Sequence, residues 1–205
     1  MAGRRSAAEA RDTRAKILRR AADVASADGL EGLTIGRLAS ELDMSKAGVI
    51  GQFGSKEELQ LATLALAAEI FRGRVWEPVE HLPAGLPRLL AVCESWTRYA
   101  KKPPFPGGCF IAAASFEFDG RSGRVHDELA KVVKRWRKTL AAEVETAVRA
   151  GELGADTDPD QVAFSLEALA AGANPARQLH GDTSAASWSL RAMHAVLGVP
   201  APKAA

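Results

Sequence analysis

The stretch that decides the fold is Leu33-Thr34-Ile35-Gly36-Arg37-Leu38-Ala39-Ser40-Glu41-Leu42-Asp43-Met44-Ser45-Lys46-Ala47-Gly48-Val49-Ile50-Gly51-Gln52-Phe53-Gly54-Ser55-Lys56-Glu57-Glu58-Leu59. Thr34 stands where a helix cap belongs, and Ile35, Leu38, Ala39 and Leu42 follow on one helical face. The break at Asp43-Met44 precedes Ser45, which opens a further short helix to about Phe53, with Met44 and Val49 placed as a hydrophobic staple. Ser55-Lys56-Glu57-Glu58 reads as a capping box: the serine serves one orphan amide and Glu58 reaches back to another. Two short helices joined by a tight turn have the proportions of a helix-turn-helix, whose second helix presents its first residues to the major groove. Ordinary helical core has the same pattern, so spacing alone leaves both readings open.

Outward from this stretch the chain is helical throughout, with almost no strand pattern and no internal repeat. A first helix spans about Ala8–Ala27, with Ile17, Ala21, Val24 and Ala25 on its inner face. A helix from Ser55 to about Val75 is followed by a joint rich in Pro and Gly (Pro78, Pro83, Gly85, Pro87). Further helices are expected over about Leu86–Ala100, Cys109–Phe118, Val125–Arg149, Asp158–His180 and Ser184–Leu197. Pro175 lacks an amide and should kink or end the eighth of them. The expected fold class is all-α, about nine helices, with a helix-turn-helix head over residues 1–60 and a helical bundle over 61–205.

The 205 residues carry 27 Lys+Arg against 25 Asp+Glu, a net charge of only +2. A polybasic tail protein is excluded, and a surface for nucleic acid has to be local. It is local: residues 1–20 hold Arg4, Arg5, Arg11, Arg14, Lys16, Arg19 and Arg20 against Glu9 and Asp12. Such an arm can lie along phosphates and add salt-dependent affinity, or serve only to solubilise. A second basic cluster, Lys131, Lys134, Arg135, Arg137 and Lys138, reads as a solvated helix face. The most apolar run, Leu61–Phe71, is too short to span a bilayer. No apolar segment follows Arg4-Arg5, so an export signal is not expected. Cys93 and Cys109 match neither a disulfide framework nor a zinc spacing, and a reduced, cytoplasmic protein is expected.

In register, including Phe53 and the Ser55-Lys56-Glu57 helix start, residues 11–60 resemble the N-terminal signature of the TetR family of transcriptional regulators. The rest of the chain fits that family in length and helix count. Phe105-Pro106-Gly107-Gly108-Cys109-Phe110, with Glu117-Phe118-Asp119 after it, resembles a subgroup of these regulators and implies no particular ligand. Carried over residue by residue, the resemblance implies DNA contacts from Thr34, Ser45, Lys46, Ala47, Gly48, Ile50, Gly51, Gln52 and Lys56. Thr34 and Lys56 lie at helix N-termini that favour phosphate. Lys46 can donate to guanine, Ala47 can touch a thymine methyl, and Gln52 can pair with adenine or bind phosphate. One departure is visible: Ile50-Gly51-Gln52 stands where relatives carry an aromatic or His, often a tyrosine on phosphate. Gly48 and Gly51 read either as close approach of backbone to DNA or as tolerated drift.

Eleven of the twelve aromatic residues lie after residue 70. Candidates for lining a ligand site are Phe71, Trp96, Phe110, Phe116, Trp136 and Phe164, with Glu94, Arg98, His126, Asn174 and Gln178 as polar contacts. Each aromatic reads equally as plain core. The last two helices are apolar on two sides, which requires a second covered face. Leu166, Ala170, Ala173, Trp188, Ala192 and Ala195 are the candidate dimer contacts, matching the four-helix interface that the resemblance implies.

No nucleophile elbow, P-loop or dinucleotide fingerprint is present, and His81, His126, His180 and His194 lack metal-ligand spacing. No cofactor, metal or enzymatic activity is expected. The expected function is a homodimeric, sequence-specific regulator, a repressor released from a palindromic operator by a small molecule. The competing reading is a helical ligand-binding or enzymatic bundle whose head no longer binds DNA.

Overall fold

The computed structural model describes residues 7–201. Among them are nine helices and no strand: α1 (Ala7–Asp28), α2 (Ile35–Glu41), α3 (Lys46–Phe53), α4 (Lys56–Val75), α5 (Leu86–Lys101), α6 (Phe110–Phe118), α7 (Arg124–Arg149), α8 (Pro159–His180) and α9 (Ala185–Val196). The expected all-α class and its nine helices are present. Arg4 and Arg5 lie outside the described residues.

Among the described residues the chain forms two compact units, one of residues 7–68 and 105–129, the other of 69–104 and 130–201. Helices α1 to α3 lie in the first, and α6 belongs with them. The core of this unit is Ile17, Ala21 and Val24 from α1, Leu33, Leu38 and Ala39 around α2, Val49 and Phe53 from α3, and Leu59 from α4. In the second unit α8 packs on α9, and α5 packs on both.

The caps form as the sequence requires, with one exception. Thr34 accepts from the Arg37 amide, Ser45 from Gly48, and Asp158 from Asp160 and Gln161. Ser55 Oγ accepts the Glu58 amide at 3.1 Å. The Glu58 carboxylate, however, takes Arg124 Nη1 at 2.6 Å, so a guanidinium replaces the backbone amide of the expected box. A charged donor is the stronger partner. Pro175 does not end α8, which continues to His180. Proline removes one ladder bond; α8 packs on α9 and α5 and closes on Gly181 in the left-handed region (φ 69°).

Cys93 and Cys109 form no disulfide. Burial pushes the Cys93 thiol up to about 12 from its ordinary 9.0. Three pKa units leave about a thousandfold less thiolate than in the unfolded chain, and thiolate is the nucleophile. Alkylation of native protein at pH 8 should therefore spare Cys93, which reacts once denaturant is added. Mass-spectrometric mapping checks this, and rapid native labelling of Cys93 contradicts it.

Candidate nucleic-acid interface

The recognition element is built from a turn. After α2, Leu42–Ser45 reverse the chain, with the Met44 amide bonded to Ala39 O at 2.8 Å. Asp43 sits at φ 52°, a left-handed conformation that Asp tolerates better than most residues. Val49 and Phe53 of α3 then point into the core. The opposite side is open: Lys46, Ala47, Ile50 and Gly51 are exposed, and Ile50 keeps 44% of its surface accessible. These four sit at i, i+1, i+4 and i+5, a single helical face beginning at the N-terminus.

An exposed isoleucine beside an alanine, with lysine at the helix start, offers apolar contact and one cation to whatever docks there. The chemistry suits a groove edge carrying thymine methyls, guanine acceptors and flanking phosphates. Gly48 and Gly51 separate physically. A Cβ on Gly48 would lie 3.2 Å from Ser45 Oγ and 3.6 Å from Met44 Cε, so its small size protects the cap. A Cβ on Gly51 would meet nothing within 4 Å. Nothing inside the unit requires glycine there. Gly51→Ala should therefore raise helix stability by about 1 kcal/mol, roughly 2–4 °C in melting temperature for a chain of this size. Calorimetry checks the sign, and destabilisation contradicts it.

The basic face is smaller than its composition suggests. Arg14 Nη1 donates to the Gln52 carbonyl, and its guanidinium lies 4.2 Å from the Phe53 ring centroid. It closes the C-terminal end of α3, where free carbonyls and the helix dipole both favour a cation. The sequence pattern left this arginine either on phosphate or as a solubilising charge; the structure makes it a clamp on α3. Arg19 pairs with Asp23 at 3.4 Å and Arg20 with Glu41 at 2.6 Å. Arg11 and Lys16 are exposed.

Lys56, expected at a phosphate-favouring helix start, donates to the Glu31 carbonyl at 2.8 Å and to its carboxylate at 3.2 Å. Its ammonium braces the loop between α1 and α2. The Lys56 hydrogen bond holds the Glu31 carboxyl below the ordinary carboxylate value, and hydrogen bonds from Arg37 and then Arg20 do the same for Glu41. Lys46 reaches back toward α2: a Cβ on Gly36 would lie 3.3 Å from its Cε and 3.7 Å from its Nζ. Thr34 is exposed with its hydroxyl already on the Arg37 amide. Gln52 is half-buried. Thr34, Ser45, Lys46, Ala47, Ile50 and Gly51 are exposed and Gly48 is half-buried, while the Lys56 ammonium is held by Glu31.

The ligand candidates do not converge as a set. Phe71, Trp96 and Trp136 do, edge to face, with centroids 5.7 Å apart for Phe71–Trp96, 5.2 Å for Phe71–Trp136 and 5.4 Å for Trp96–Trp136. Tyr99 and Trp76, which the sequence reading passed over, join them at 5.4 Å from Phe71 and 6.3 Å from Trp136. Trp136 Nε1 is buried without a hydrogen-bond partner. Phe110 is instead buried against Phe105 in the first unit, and Phe116 is exposed there. Phe164 is exposed under the Arg137 guanidinium.

Of the polar candidates, Glu94 pairs with Arg98 at 3.9 Å and His126 Nδ1 meets Asp127 at 2.9 Å. Asn174 is half-buried and Gln178 exposed. A cleft lined by Trp96, Thr97, Ala100, Ala170, Ala173, Ala186, Ser189 and Met193 encloses about 180 Å³, open solvent included.

Among the candidate dimer contacts, Leu166 and Ala173 are buried in their own chain, because the same face of α8 packs on its own bundle. Ala170 and Ala192 are half-buried, and Trp188 and Ala195 are exposed. Phe164, Leu179 and Val196 add exposed apolar surface to α8 and α9. Among the described residues no group of acidic, His or Cys side chains is arranged to hold a metal, and no helix is long and apolar enough to cross a membrane.

A short N-capped helix with its first turn exposed, held by a four-residue turn on a shared core, defines a helix-turn-helix nucleic-acid reader. The family model for bacterial regulatory proteins of the tetR family matches residues 17–63, and that for the tetracyclin repressor-like C-terminal domain matches residues 85–193. The chain belongs to the TetR family of DNA-binding, ligand-responsive transcriptional regulators.

Solved structures share the fold. A TetR transcriptional regulator from Chloroflexus aurantiacus is 24% identical, with a TM-score of 0.85 over 94% of this chain and 98% of its own. A TetR-family regulator from Streptomyces coelicolor is 25% identical, with a TM-score of 0.77 over 93% and 95%. AibR, solved in complex with isovaleryl coenzyme A and operator DNA, is 19% identical, with a TM-score of 0.70 over 87% and 96%. Comparison with the curated proteins finds no significant match.

Proposed function

We propose that the protein is a cytoplasmic, homodimeric repressor that binds a palindromic operator through α3 and leaves it when a small molecule occupies the second unit. The observation that carries this reading is the open face of α3, where Lys46, Ala47, Ile50 and Gly51 lie opposite the buried Val49 and Phe53. The bare backbone at Gly51 lets α3 approach the groove closely, which gives the glycine the role its surroundings do not. The variant Gly51→Ala, though more stable, should accordingly bind DNA more weakly.

Two copies would pair through the apolar remainder of α8 and α9, centred on Trp188 and Ala195. The effector is assigned to the aromatic cluster of Phe71, Trp96 and Trp136, where the unpartnered indole N–H calls for a molecule bearing a hydrogen-bond acceptor. That AibR was solved with both an acyl coenzyme A and operator DNA supports an effector–operator pairing in this fold. Effector binding and operator binding are then linked by a coupling free energy.

Fluorescence anisotropy with the protein's own upstream region tests the reading. Tight binding that weakens with rising salt and resists competition by random duplex is expected. Equal binding to every duplex overturns it.

A further inference from the structure

Glu117 lies on α6, yet its carboxylate is spent on the loop between α1 and α2. Oε2 accepts the Leu30 amide at 2.7 Å and Oε1 accepts the Glu31 amide at 2.9 Å. Two successive N–H groups converging on one carboxylate form an anion nest, following the left-handed turn at Gly29 (φ 83°). A Cβ on Gly29 would fall 2.8 Å from Oε1, so glycine is what admits the carboxylate. A second contact comes from the loop just before α6. The Gly107 amide donates to Ser26 Oγ at 3.1 Å, and a Cβ on Gly107 would lie 1.7 Å from the Ser26 carbonyl oxygen.

The nested loop is held from its other side by α4. Gln60 Nε2 donates to the Leu30 carbonyl and Lys56 Nζ to the Glu31 carbonyl, both at 2.8 Å. Leu30 and Leu33 are buried, while Glu31 and Gly32 between them are exposed. The next residue after Leu33 is Thr34, the cap of α2. Within the loop the Leu33 amide donates to the Leu30 carbonyl at 3.3 Å, and side chains from α4 and α6 hold the Leu30 and Glu31 backbone on either side.

We infer that Glu117 is a positioning residue for DNA recognition: its carboxylate fixes residues 29–33, and through them the placement of α2 and α3. The inference rests on the regulatory reading above. It also gives a task to the Phe105–Glu117 segment, which falls within the C-terminal family match yet folds with the DNA-reading unit.

The test uses the full-length protein, a duplex that the wild type selects from a random pool, and a scrambled duplex of equal length. Glu117→Ala removes both acceptors. Glu117→Gln keeps the length and one carbonyl oxygen, and guards against a variant that fails to fold. Amide exchange at Leu30 and Glu31 reports the nest directly.

Glu117→Ala is expected to lose about tenfold or more in affinity for the selected duplex, with faster exchange at both amides and scrambled-duplex binding unchanged. Glu117→Gln should fall between it and the wild type. Unchanged affinity for the selected duplex in both variants overturns the inference. So does a parallel loss on selected and scrambled duplexes with a lowered melting temperature, which marks a purely structural brace. A wild type that selects no duplex instead overturns the regulatory reading, and this inference with it.

Discussion

Ala47→Glu should abolish sequence-preferring DNA binding while leaving the protein as stable as before. Ala47 is exposed in the first turn of α3, behind the Ser45 cap. A carboxylate there faces the helix N-terminus, which favours negative charge by roughly 0.3–1 kcal/mol. Against DNA the same carboxylate meets phosphates and groove acceptors, and like-charge juxtaposition at an interface costs several kcal/mol. A cost of about 3 kcal/mol corresponds to more than a hundredfold in affinity. The two effects have opposite signs, so the variant separates folding from recognition. Anisotropy and calorimetry on one preparation measure both. Retained operator affinity would remove α3 from the interface.

Phe53→Ala should cost the head roughly 3–5 kcal/mol, the usual range for deleting a buried aromatic ring. The ring is packed in the core with Ile17, Leu38 and Val49, and its face carries the Arg14 guanidinium. Its loss therefore opens a cavity and loosens the clamp on the Gln52 carbonyl together. Chemical denaturation followed by far-UV circular dichroism measures the loss. A change below about 1 kcal/mol would mean that the core collapses around the gap, against the usual cavity cost.

Much of the fold was legible because its determinants are local. Thr34, Ser45 and Asp158 cap the helices that follow them, and the apolar faces of α1, α2 and α3 repeat at helical spacing. The exposed face of α3 follows from the same periodicity once Val49 and Phe53 are assigned inward. Residues acting across long separations were not legible. Arg14 reaches Gln52 across 38 positions, Lys56 reaches Glu31 across 25, and Glu117 reaches Leu30 across 87. A basic residue on an amphipathic helix looks the same in sequence whether it awaits phosphate or caps a carbonyl.

Aromatic composition misled in the same way. Phe110 and Phe116 lie in the sequence between Trp96 and Trp136, yet α6 folds into the DNA-reading unit and takes them along. Leu166 was read as available to a partner because α8 is apolar on more than one side. Periodicity cannot tell which side the chain's own α5 and α9 cover, and Leu166 proves to be fully buried. Pro175, read as a kink or an end, does not end α8, which runs on to His180.

The central claim is that α3 reads DNA as one half of a symmetric pair. Selection of duplexes from a random pool by the full-length protein, with sequencing of the bound fraction, tests it most directly. The account predicts an inverted repeat with half-sites about one helical turn apart, roughly 34–36 Å, and loss of that enrichment in Ala47→Glu. A bound fraction with no enriched motif, or the same motif enriched by Ala47→Glu, would contradict it.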